Sequence, residues 1–299
     1  MQTRTLQRKG FKRPRLLIIG CGDIGLRILT RLRNRFRIVA LTRSPQRIAE
    51  LRAAGAVPMV GQLSQRHTLA RLRALARYTI HLAPPPGQGH DDPQTRNLLH
   101  ALGADEQQLV YVSTTGVYGD RGGAWVNESS PAKPASARAI RRLSAERLCR
   151  AWQKRAMGDG RRVSILRAPG IYALDRLPMA RLQEHTPCLR SQDDVYTNHI
   201  HAEDLARAAI AALWRGRAAR VINVVDDTEL KMGDYFDWVA DQLNLPRPPR
   251  LARADLMAQV SPMRASFMNE SRRLRNQRLK TELRLRLHYP TVADALKSR

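Results

Sequence analysis

From residue 15 to about residue 170, short apolar runs alternate with stretches in which apolar residues recur at helical spacing. The first run is Leu16-Leu17-Ile18-Ile19, and further runs lie at 37–41, 56–60, 78–83, 108–112 and 162–167. A strand buried on both faces of a parallel sheet has such an uninterrupted apolar sequence. After the first run, Ile24, Ile28 and Leu32 predict one face of a helix. The alternation therefore predicts an α/β fold with a doubly wound parallel sheet.

Beyond about Gly170 the alternation weakens. A helix is predicted to begin near Ala202, and the apolar run 220–225 is expected to return to the sheet. From Lys231 onward the pattern predicts a smaller, mostly helical lobe that would bind the substrate. The predicted divisions are a flexible basic tail at 1–14, a sheet domain at 15–173 joined by 195–225, and a substrate lobe made of 174–194 and 226–299.

Three glycines follow the first apolar run in the pattern G-x-G-x-x-G, at Gly20, Gly22 and Gly25. Glycine permits a tight turn and lets the backbone approach a phosphate, while the helix that follows directs free N–H groups and its positive dipole end at that phosphate. With a strand before it and helical spacing after it, the motif predicts a dinucleotide site in a Rossmann-type domain.

The end of the second predicted strand lacks the carboxylate that usually accepts a hydrogen bond from the ribose of NAD. It reads Leu41-Thr42-Arg43-Ser44, and the first acidic residue is Glu50. The guanidinium of Arg43 could pair with a 2′-phosphate through its planar fork, although it could also be one more surface arginine. We therefore predict NADP(H), with NAD(H) as the alternative. The predicted cofactor-binding residues are Gly20, Cys21, Gly22, Asp23, Ile24, Gly25, Arg43, Ser44, Ala83 and Pro84.

The chain is strongly basic, with 52 Lys and Arg residues against 26 Asp and Glu, and a formal net charge of +26. Such a field attracts nucleic acid, acidic membranes or phosphorylated substrates. The arginines are nevertheless spread along every predicted helix, and aromatic residues make up only 5% of the chain, which leaves few platforms for stacked bases. We interpret the arginines as solvent-exposed helix faces, including one at 271–280, and expect a small-molecule substrate rather than nucleic acid.

Cysteine spacing and hydropathy indicate the cellular compartment in which the protein is expected. Cys21, Cys149 and Cys188 form no C-x-x-C pair, which fits a reducing environment. No apolar run approaches the roughly 18 residues of a membrane helix, and the basic first ten residues lack the apolar stretch of a secretory signal. We expect a cytoplasmic protein with no membrane partner, and leave a homodimer open.

Two histidines and an aspartate, in His199-x-His201 and Asp204, permit two interpretations. They could bind a metal ion, or they could mark a strand that ends at a helix, with Asp204 near the positive helix N-terminus. We favour the second interpretation and predict no metal site.

Four segments together carry a family resemblance. They are Gly20–Gly25, Val112-Ser113-Thr114-Thr115-Gly116-Val117-Tyr118-Gly119, Leu166-Arg167-Ala168-Pro169-Gly170-Ile171-Tyr172 and His199-Ile200-His201-Ala202-Glu203-Asp204-Leu205-Ala206. In this order and spacing the chain resembles the extended short-chain dehydrogenase/reductases, the NAD(P)-dependent epimerase/dehydratase family, over roughly residues 15–225. The resemblance implies a Rossmann domain with a substrate lobe. It also implies reduction, epimerisation or dehydration of nucleotide sugars or related carbonyl compounds.

That family's chemistry uses Ser/Thr, Tyr-x-x-x-Lys and a helper Asn. Thr114 matches the Ser/Thr position, and Asp91 falls on the helper position. Arg138 and Arg142 occupy the tyrosine and lysine positions, and the sequence contains no Tyr-x-x-x-Lys. The chain is therefore most similar to the atypical short-chain dehydrogenase/reductases, whose active-site residues are poorly kept.

A guanidinium cannot exchange protons near neutral pH, so Arg138 cannot replace a phenol, although it could bind an anionic substrate. Arg142 could hold a ribose or phosphate oxygen. Candidates for the missing proton donor are Tyr118, Tyr172, and Asp91 or Asp92 if burial raises a carboxyl pKa; each could instead be structural. The candidate catalytic residues are Thr114, Tyr118, Asp91, Arg138 and Arg142.

These observations leave three functional hypotheses. The leading one is an NADP(H)-favouring oxidoreductase or epimerase-like enzyme acting on a small or sugar-like carbonyl or alcohol. The second is a non-catalytic NADP(H)-binding sensor or scaffold, suggested by the missing Tyr-x-x-x-Lys. The third, nucleic-acid binding, rests on net charge alone.

Overall fold

A computed structural model of the chain describes residues 13–103, 108–155 and 160–297. The strands are β1 (Arg15–Ile19), β2 (Arg37–Thr42), β3 (Val57–Val60), β4 (Tyr78–His81), β5 (Gln108–Thr114), β6 (Trp125–Val126), β7 (Arg162–Ala168), β8 (Gly170–Tyr172), β9 (Cys188–Leu189), β10 (Tyr196–Thr197), β11 (His199–His201), β12 (Arg220–Asn223), β13 (Leu230–Lys231), β14 (Arg250–Leu251) and β15 (Arg273–Leu274). The α-helices are α1 (Asp23–Leu32), α2 (Ile48–Ala53), α3 (Pro93–Ala101), α4 (Ala137–Lys154), α5 (Met179–Gln183), α6 (Ala202–Arg215), α7 (Met232–Gln242), α8 (Arg253–Met257), α9 (Pro262–Met268), α10 (Gln277–Thr281) and α11 (Val292–Lys297). Short 3-10 helices lie at Pro45–Arg47, Arg66–Leu72, Thr115–Tyr118 and Leu174–Arg176.

Seven of these strands form one parallel sheet, in the order β12-β7-β5-β4-β1-β2-β3. From β1 the chain extends the sheet to β2 and β3, and then crosses back to add β4, β5, β7 and β12 on the other side. Such a reversal opens a crevice at the carboxyl ends of the central strands. The seven strands are the predicted apolar runs, so the predicted doubly wound Rossmann-type fold is confirmed.

Helices cover both faces of the sheet. On one face α1 and α6 contribute buried side chains such as Ile28, Leu29 and Leu205. On the other face α3 and α4 contribute Leu98 and Trp152. Burial on both faces is the physical reason why these strands have continuous apolar sequences. No helix among the described residues is long and apolar enough to cross a membrane.

A further core lies outside the sheet layers and includes Leu182, Phe236, Val239 and Leu296. Strand β8 pairs in parallel with β11, so both ends of the intervening segment 173–198 lie at the same pair of strands. Smaller pairs join β9 to β14, β10 to β13 and β6 to β15. The predicted domain division stays a prediction, and residues 1–12 of the predicted tail lie outside the described residues.

The predicted helix face at 271–280 is wrong for its first half. The segment forms β15 and only then turns into α10. Leu274 is buried, while the guanidinium groups of Arg273 and Arg275 lie 5.0 and 3.8 Å from the centre of the Trp125 ring. Residues two apart therefore share a face, which is strand periodicity rather than helix periodicity.

The prediction that the histidine pair ends a strand at a helix is confirmed. Strand β11 runs directly into α6, and the Nδ1 atom of His201 accepts a hydrogen bond from the Glu203 amide at 3.2 Å. The carboxylate of Asp204 accepts hydrogen bonds from the amides of His288 and Tyr289, both at 2.9 Å. Asp204 thus fastens the segment before α11 to the first turn of α6.

A buried ion pair ties α4 to the sheet. The carboxylate of Glu146 accepts two hydrogen bonds from Arg167, at 2.9 and 2.7 Å, and one from the hydroxyl of Ser113 at 2.7 Å. The side chains of Glu146 and Arg167 are 0% and 5% exposed. The guanidinium of Arg167 also lies 4.6 Å from the centre of the Tyr118 ring, so one charge pair links α4, β5, β7 and the turn after β5.

Candidate functional site

The glycines between β1 and α1 have different roles. Gly20 has a φ of +79°, and a Cβ placed on it would lie 2.7 Å from the amide nitrogen of Ala83, so the turn needs glycine. A Cβ on Gly25 would lie 3.0 Å from the Cys21 sulfur, which shows how tightly the helix packs on the turn. A Cβ on Gly22 would meet no protein atom within 4 Å. Gly22 thus faces open space at the start of α1.

The N-terminus of α1 has no side-chain cap among the described residues, and Gly22 stands at the N-cap position. The first-turn amides are therefore available to an anion. Asp23 brings a negative charge to this end, but its carboxylate accepts hydrogen bonds from Arg27 at 2.7 Å and Arg176 at 2.9 Å. Because these two arginines neutralise the charge of Asp23, the end of the helix can still bind a phosphate.

A crevice of about 870 Å³ runs over this helix end. Its volume lies within the usual range of cofactor sites, roughly 300–1,000 Å³. The crevice brings together all but one of the predicted cofactor-binding residues, namely Gly20, Cys21, Gly22, Asp23, Ile24, Arg43, Ser44, Ala83 and Pro84. Gly25 does not line it and acts through packing. The open volume above Gly22 and the free amides fit the pyrophosphate of a dinucleotide.

Two arginines lie at the β2 end of this crevice. Arg43 is exposed and has no hydrogen bond or ion pair within the described ranges. Arg47 donates one hydrogen bond to the carbonyl of Cys21 at 2.6 Å and two to Glu50 at 2.9 and 2.7 Å. Arg47 therefore supports the glycine turn, whereas Arg43 is left to meet a ligand. Burial raises the pKa of the Cys21 thiol to about 11, so that thiol stays protonated at neutral pH.

A second cavity of about 440 Å³ continues from the crevice. The two share the side chains of Ile24, Leu82 and Ile171, which form their common boundary. The second cavity brings together three of the predicted catalytic residues, Thr114, Arg138 and Arg142. A dinucleotide laid along the crevice would therefore direct one end toward Thr114.

Thr114 ends β5 and caps the 3-10 helix that follows. Its Oγ1 atom accepts a hydrogen bond from the amide of Gly116 at 3.2 Å. Because this contact uses the oxygen as an acceptor, the hydroxyl hydrogen remains free to be donated into the cavity.

Arg138 and Arg142 lie one turn apart on α4 and so project from the same face. Arg142 donates through Nη1 to the carbonyl of Val112 at 2.9 Å and to the hydroxyl of Tyr111 at 3.2 Å. The guanidinium of Arg138 lies 4.3 Å from the centre of the Phe267 ring. Two permanent cations thus face the cavity from the positions where the resemblance implies a phenol and an ammonium group.

The structure removes two tyrosines from the list of candidate proton donors. Tyr118 is fully buried, and its hydroxyl donates to the Oδ1 atom of Asn223 at 2.7 Å. The 3-10 helix turns its ring inward beneath Arg167, so it lines neither cavity. Tyr172 is also buried, with its ring 5.3 Å from that of His201, and it lines neither cavity. The positions of Tyr118 and Tyr172 contradict the prediction that either residue donates a proton in the cleft.

The predicted acidic candidates also lie outside the cleft. Asp91 is exposed, with Ser144 at 3.3 Å. Asp92 is buried as the N-cap of α3, accepting hydrogen bonds from the amide and hydroxyl of Thr95 at 2.9 and 2.7 Å. Since neither residue lines the two cavities, the helper-position prediction for Asp91 and the alternative Asp92 are corrected to a surface residue and a helix cap.

Several lining residues escape the sequence analysis. Tyr196 is the tyrosine that lines the Thr114 cavity among the described residues, and Phe267, Glu270 and Arg272 line it from the chain beyond α8. Arg176 reaches the glycine turn from the 3-10 helix after β8. All five lie outside the four segments that carry the family resemblance, so no local signal identifies them.

His81 ends β4 beside the crevice and is 1% exposed. The hydroxyl of Thr95 donates to Asp92, so it accepts from the Nε2–H group of His81 at 2.9 Å. This arrangement leaves Nδ1 unprotonated, and Nδ1 has no partner among the described residues. Burial, with a smaller contribution from the positive charge of Arg142, lowers the pKa of His81 to about 3.

Folding stability is expected to fall as the pH drops below about 6.5, the ordinary pKa of histidine. Between that pH and about 3, the unfolded chain binds a proton that folded His81 does not. At pH 5 the loss from this residue is about 2 kcal/mol. The free energy of unfolding, measured with urea, falls between pH 7 and pH 5. In His81→Gln this fall should be smaller than in the parent chain by about that amount. His67→Gln, at an exposed histidine, is the control; an equal change in both variants would contradict the assignment.

Comparison with known proteins supports the geometric assignment. A family model described as NAD(P)H-binding matches residues 20–216. No protein of curated function matches the chain in sequence.

Similar solved structures cover nearly the whole chain. A conserved protein of unknown function from Silicibacter pomeroyi DSS is 29% identical, with a TM-score of 0.79 over 95% of this chain and 97% of its own. A candidate NAD-dependent epimerase/dehydratase from Methylobacillus flagellatus is 27% identical, with a TM-score of 0.72 over 96% and 97%. The dTDP-glucose 4,6-dehydratase DesIV of Streptomyces venezuelae, solved as a double mutant with NAD bound, is 21% identical, with a TM-score of 0.74 over 94% of each chain. At that identity the last similarity shows the fold alone.

Proposed function

Because this chain belongs to the NAD(P)H-binding family, we propose that it is an oxidoreductase or epimerase-like enzyme that favours NADP(H). Its proposed substrate is a small or sugar-like carbonyl compound or alcohol. The observation that carries the proposal is the continuity of the crevice over Gly22 with the cavity at Thr114, through Ile24, Leu82 and Ile171. A dinucleotide in the crevice would therefore contact a second molecule bound in the cavity.

Residues of the crevice would hold the dinucleotide at three points. The amides at the start of α1 would receive the pyrophosphate, Arg43 the adenosine end, and the boundary residue Ile171 the other end. When bound, the nicotinamide supplies hydride transfer. The protein's own contribution would be to orient the substrate oxygen, hold it at the Thr114 hydroxyl and exclude water from the enclosed part of the cavity.

Preference for NADP(H) is supported by Arg43. Strand β2 ends at Thr42, and the first acidic side chain after it, Glu50, is engaged by Arg47. No carboxylate of the described residues lining the β2 end of the crevice is therefore available to bind a ribose hydroxyl, whereas a free guanidinium is.

Arg43→Ala is expected to weaken NADPH binding by about tenfold or more, because a charge-assisted hydrogen-bond pair to a phosphate would be lost. NADH binding should change little. Fluorescence titration with each nucleotide measures both affinities. Arg52→Ala removes the same charge from the exposed side of α2 and is the control. An equal loss for NADPH and NADH in Arg43→Ala would contradict the assignment.

Proton transfer in this cavity would fall to hydroxyl groups rather than to a Tyr-x-x-x-Lys pair. The cavity is lined by the hydroxyl-bearing residues Thr114, Thr115, Tyr196 and Thr197, and by Ser113, whose hydroxyl donates to Glu146. A panel of carbonyl compounds and nucleotide sugars, followed by NADPH oxidation, tests the enzymatic proposal. Turnover that is lost in Thr114→Val or Tyr196→Phe while NADPH affinity is kept would support it.

A non-catalytic NADP(H)-binding sensor is the second candidate. It is favoured by one specific observation, the burial of Tyr118 against Asn223 together with arginines at both positions of the proton-transfer pair. NADPH binding without turnover on any member of the panel would favour this candidate over the enzyme.

A further inference from the structure

We propose that the Thr114 cavity binds an oxyanion of the substrate, a carboxylate or a phosphate, between Arg138, Arg142 and Arg272. This inference rests on the proposed function, because it names the class of substrate that the same site would take. The anion would lie beside the boundary with the dinucleotide crevice, and hence next to the reacting carbon.

The charge of the cavity is unbalanced. Its described lining contains three arginines, Arg138, Arg142 and Arg272, and one acidic residue, Glu270. The carboxylate of Glu270 accepts from Arg272 Nη1 at 2.8 Å. No acidic side chain of the described residues forms an ion pair with Arg138 or Arg142, although the charge of Glu270 acts on Arg138. Arg138 is exposed and Arg142 is half-buried, and two neighbouring cations that lack an ion-pair partner favour the binding of an anion.

Donor groups of all three arginines remain available. Arg272 is only 9% exposed, and its Nε–H has no hydrogen-bond partner among the described residues. Arg142 makes both of its hydrogen bonds through Nη1. Arg138 contacts the face of Phe267 and makes no hydrogen bond to a described residue. A buried donor of a native protein nearly always has a partner, so the Nε–H group of Arg272 indicates a ligand that supplies an acceptor.

Electrostatics around Arg138 point the same way. Partial burial is the main cause that lowers the pKa of Arg138. The negative charge of Glu270 opposes it, and the smaller effects of the positive charges of Arg142, Arg141 and Arg272 lower the pKa further. A guanidinium remains charged under these conditions, so the repulsion is relieved by binding an anion and not by losing a proton. The planar donor fork of arginine suits the two oxygens of a carboxylate or a phosphate.

Position distinguishes this anion site from the cofactor's own phosphate sites. The pyrophosphate site is at Gly22, and the free arginine for a 2′-phosphate is Arg43, both in the larger crevice. Neither residue lines the Thr114 cavity. The apolar side chains of Met232 and Phe267 complete the wall around the arginines. An anionic group held here belongs to a molecule other than the dinucleotide.

Calorimetric titration of the full chain with oxalate, and separately with inorganic phosphate, tests the inference in phosphate-free buffer with and without saturating NADPH. Saturable binding of one of them is expected, and Arg138→Ala should raise its Kd about tenfold or more. Oxalate preferred over phosphate would identify a carboxylate substrate, and the reverse a phosphorylated one. Arg147→Ala, at an exposed arginine on α4 that lines neither cavity, loses the same charge and should leave the Kd unchanged.

Absence of saturable binding by either anion, or an equal change of Kd in Arg138→Ala and Arg147→Ala, would overturn the inference. In the second case the anions would be responding to the general positive charge of the chain. The NADPH titration is independent of these measurements. Failure to bind NADPH would overturn the proposed function, whereas intact NADPH binding without anion binding would overturn this inference alone.

Discussion

Glu146→Gln is expected to destabilise the folded chain by about 3–5 kcal/mol, because it leaves the guanidinium of Arg167 buried without a counter-charge. The carboxylate receives four hydrogen bonds, two from Arg167, one from Ser113 and a longer one from Arg150 at 3.3 Å, inside the layer between α4 and the sheet. Glutamine has the same shape but only one acceptor oxygen and no charge. Chemical denaturation measured by circular dichroism should show a lower midpoint with little change in slope.

Asp241→Asn provides a matched control. Asp241 and Arg247 form a pair with the same two-bond geometry, at 2.8 and 2.7 Å, but their side chains are 42% and 63% exposed. Water replaces the lost contact there, so the midpoint should stay close to that of the parent chain. A similar loss of stability in Glu146→Gln and Asp241→Asn would show that the contribution of the Glu146–Arg167 pair to stability does not depend on its burial.

Gly22→Val is expected to reduce NADPH affinity by about 100-fold or more, since its side chain would occupy the space that a phosphate needs. The fold should tolerate the change, because a Cβ at this position meets no protein atom within 4 Å. Isothermal titration with NADPH, together with a thermal unfolding curve, separates loss of binding from loss of structure.

Ala53→Val adds comparable bulk on the exposed end of α2, away from the crevice, and should leave affinity unchanged. Gly22→Val with affinity close to that of the parent chain would place the dinucleotide somewhere other than the start of α1. Equal weakening in the two variants would point to a general effect of added bulk rather than to a blocked phosphate site.

Much of the fold follows from short-range information. A strand covered on both faces must be apolar throughout, and the seven sheet strands are therefore visible as runs such as 16–19 and 108–112. The glycine turn is equally local, because its conformation depends on residues 20–25. The resemblance to the extended short-chain dehydrogenase/reductases is confirmed for family and fold. The two-residue strands of the lobe are too short to leave a periodic signal.

The cavity could be predicted only in part, for a physical reason. Thr114, Arg138 and Arg142 belong to motifs with fixed spacing, and they line it. Whether a tyrosine beside such a motif points outward depends on partners far along the chain. Tyr118 turns inward because Asn223, 105 residues later, accepts a hydrogen bond from its hydroxyl and because Arg167 covers its ring. Residues such as Arg272 reach the cavity by tertiary contacts alone.

The ladder between β8 and β11 has an evolutionary consequence. Since Gly170 pairs with His199 and Tyr172 with His201, the segment 173–198 is closed at its base by three residue pairs. For such a closed loop, doubling the length costs only about 0.6 kcal/mol of closure entropy. The segment supplies Tyr196, Thr197 and Asn198 to the cavity wall, so insertions or deletions before them can remodel substrate selection without shifting a sheet strand. This loop is where diverging relatives can acquire new substrates while retaining one cofactor crevice.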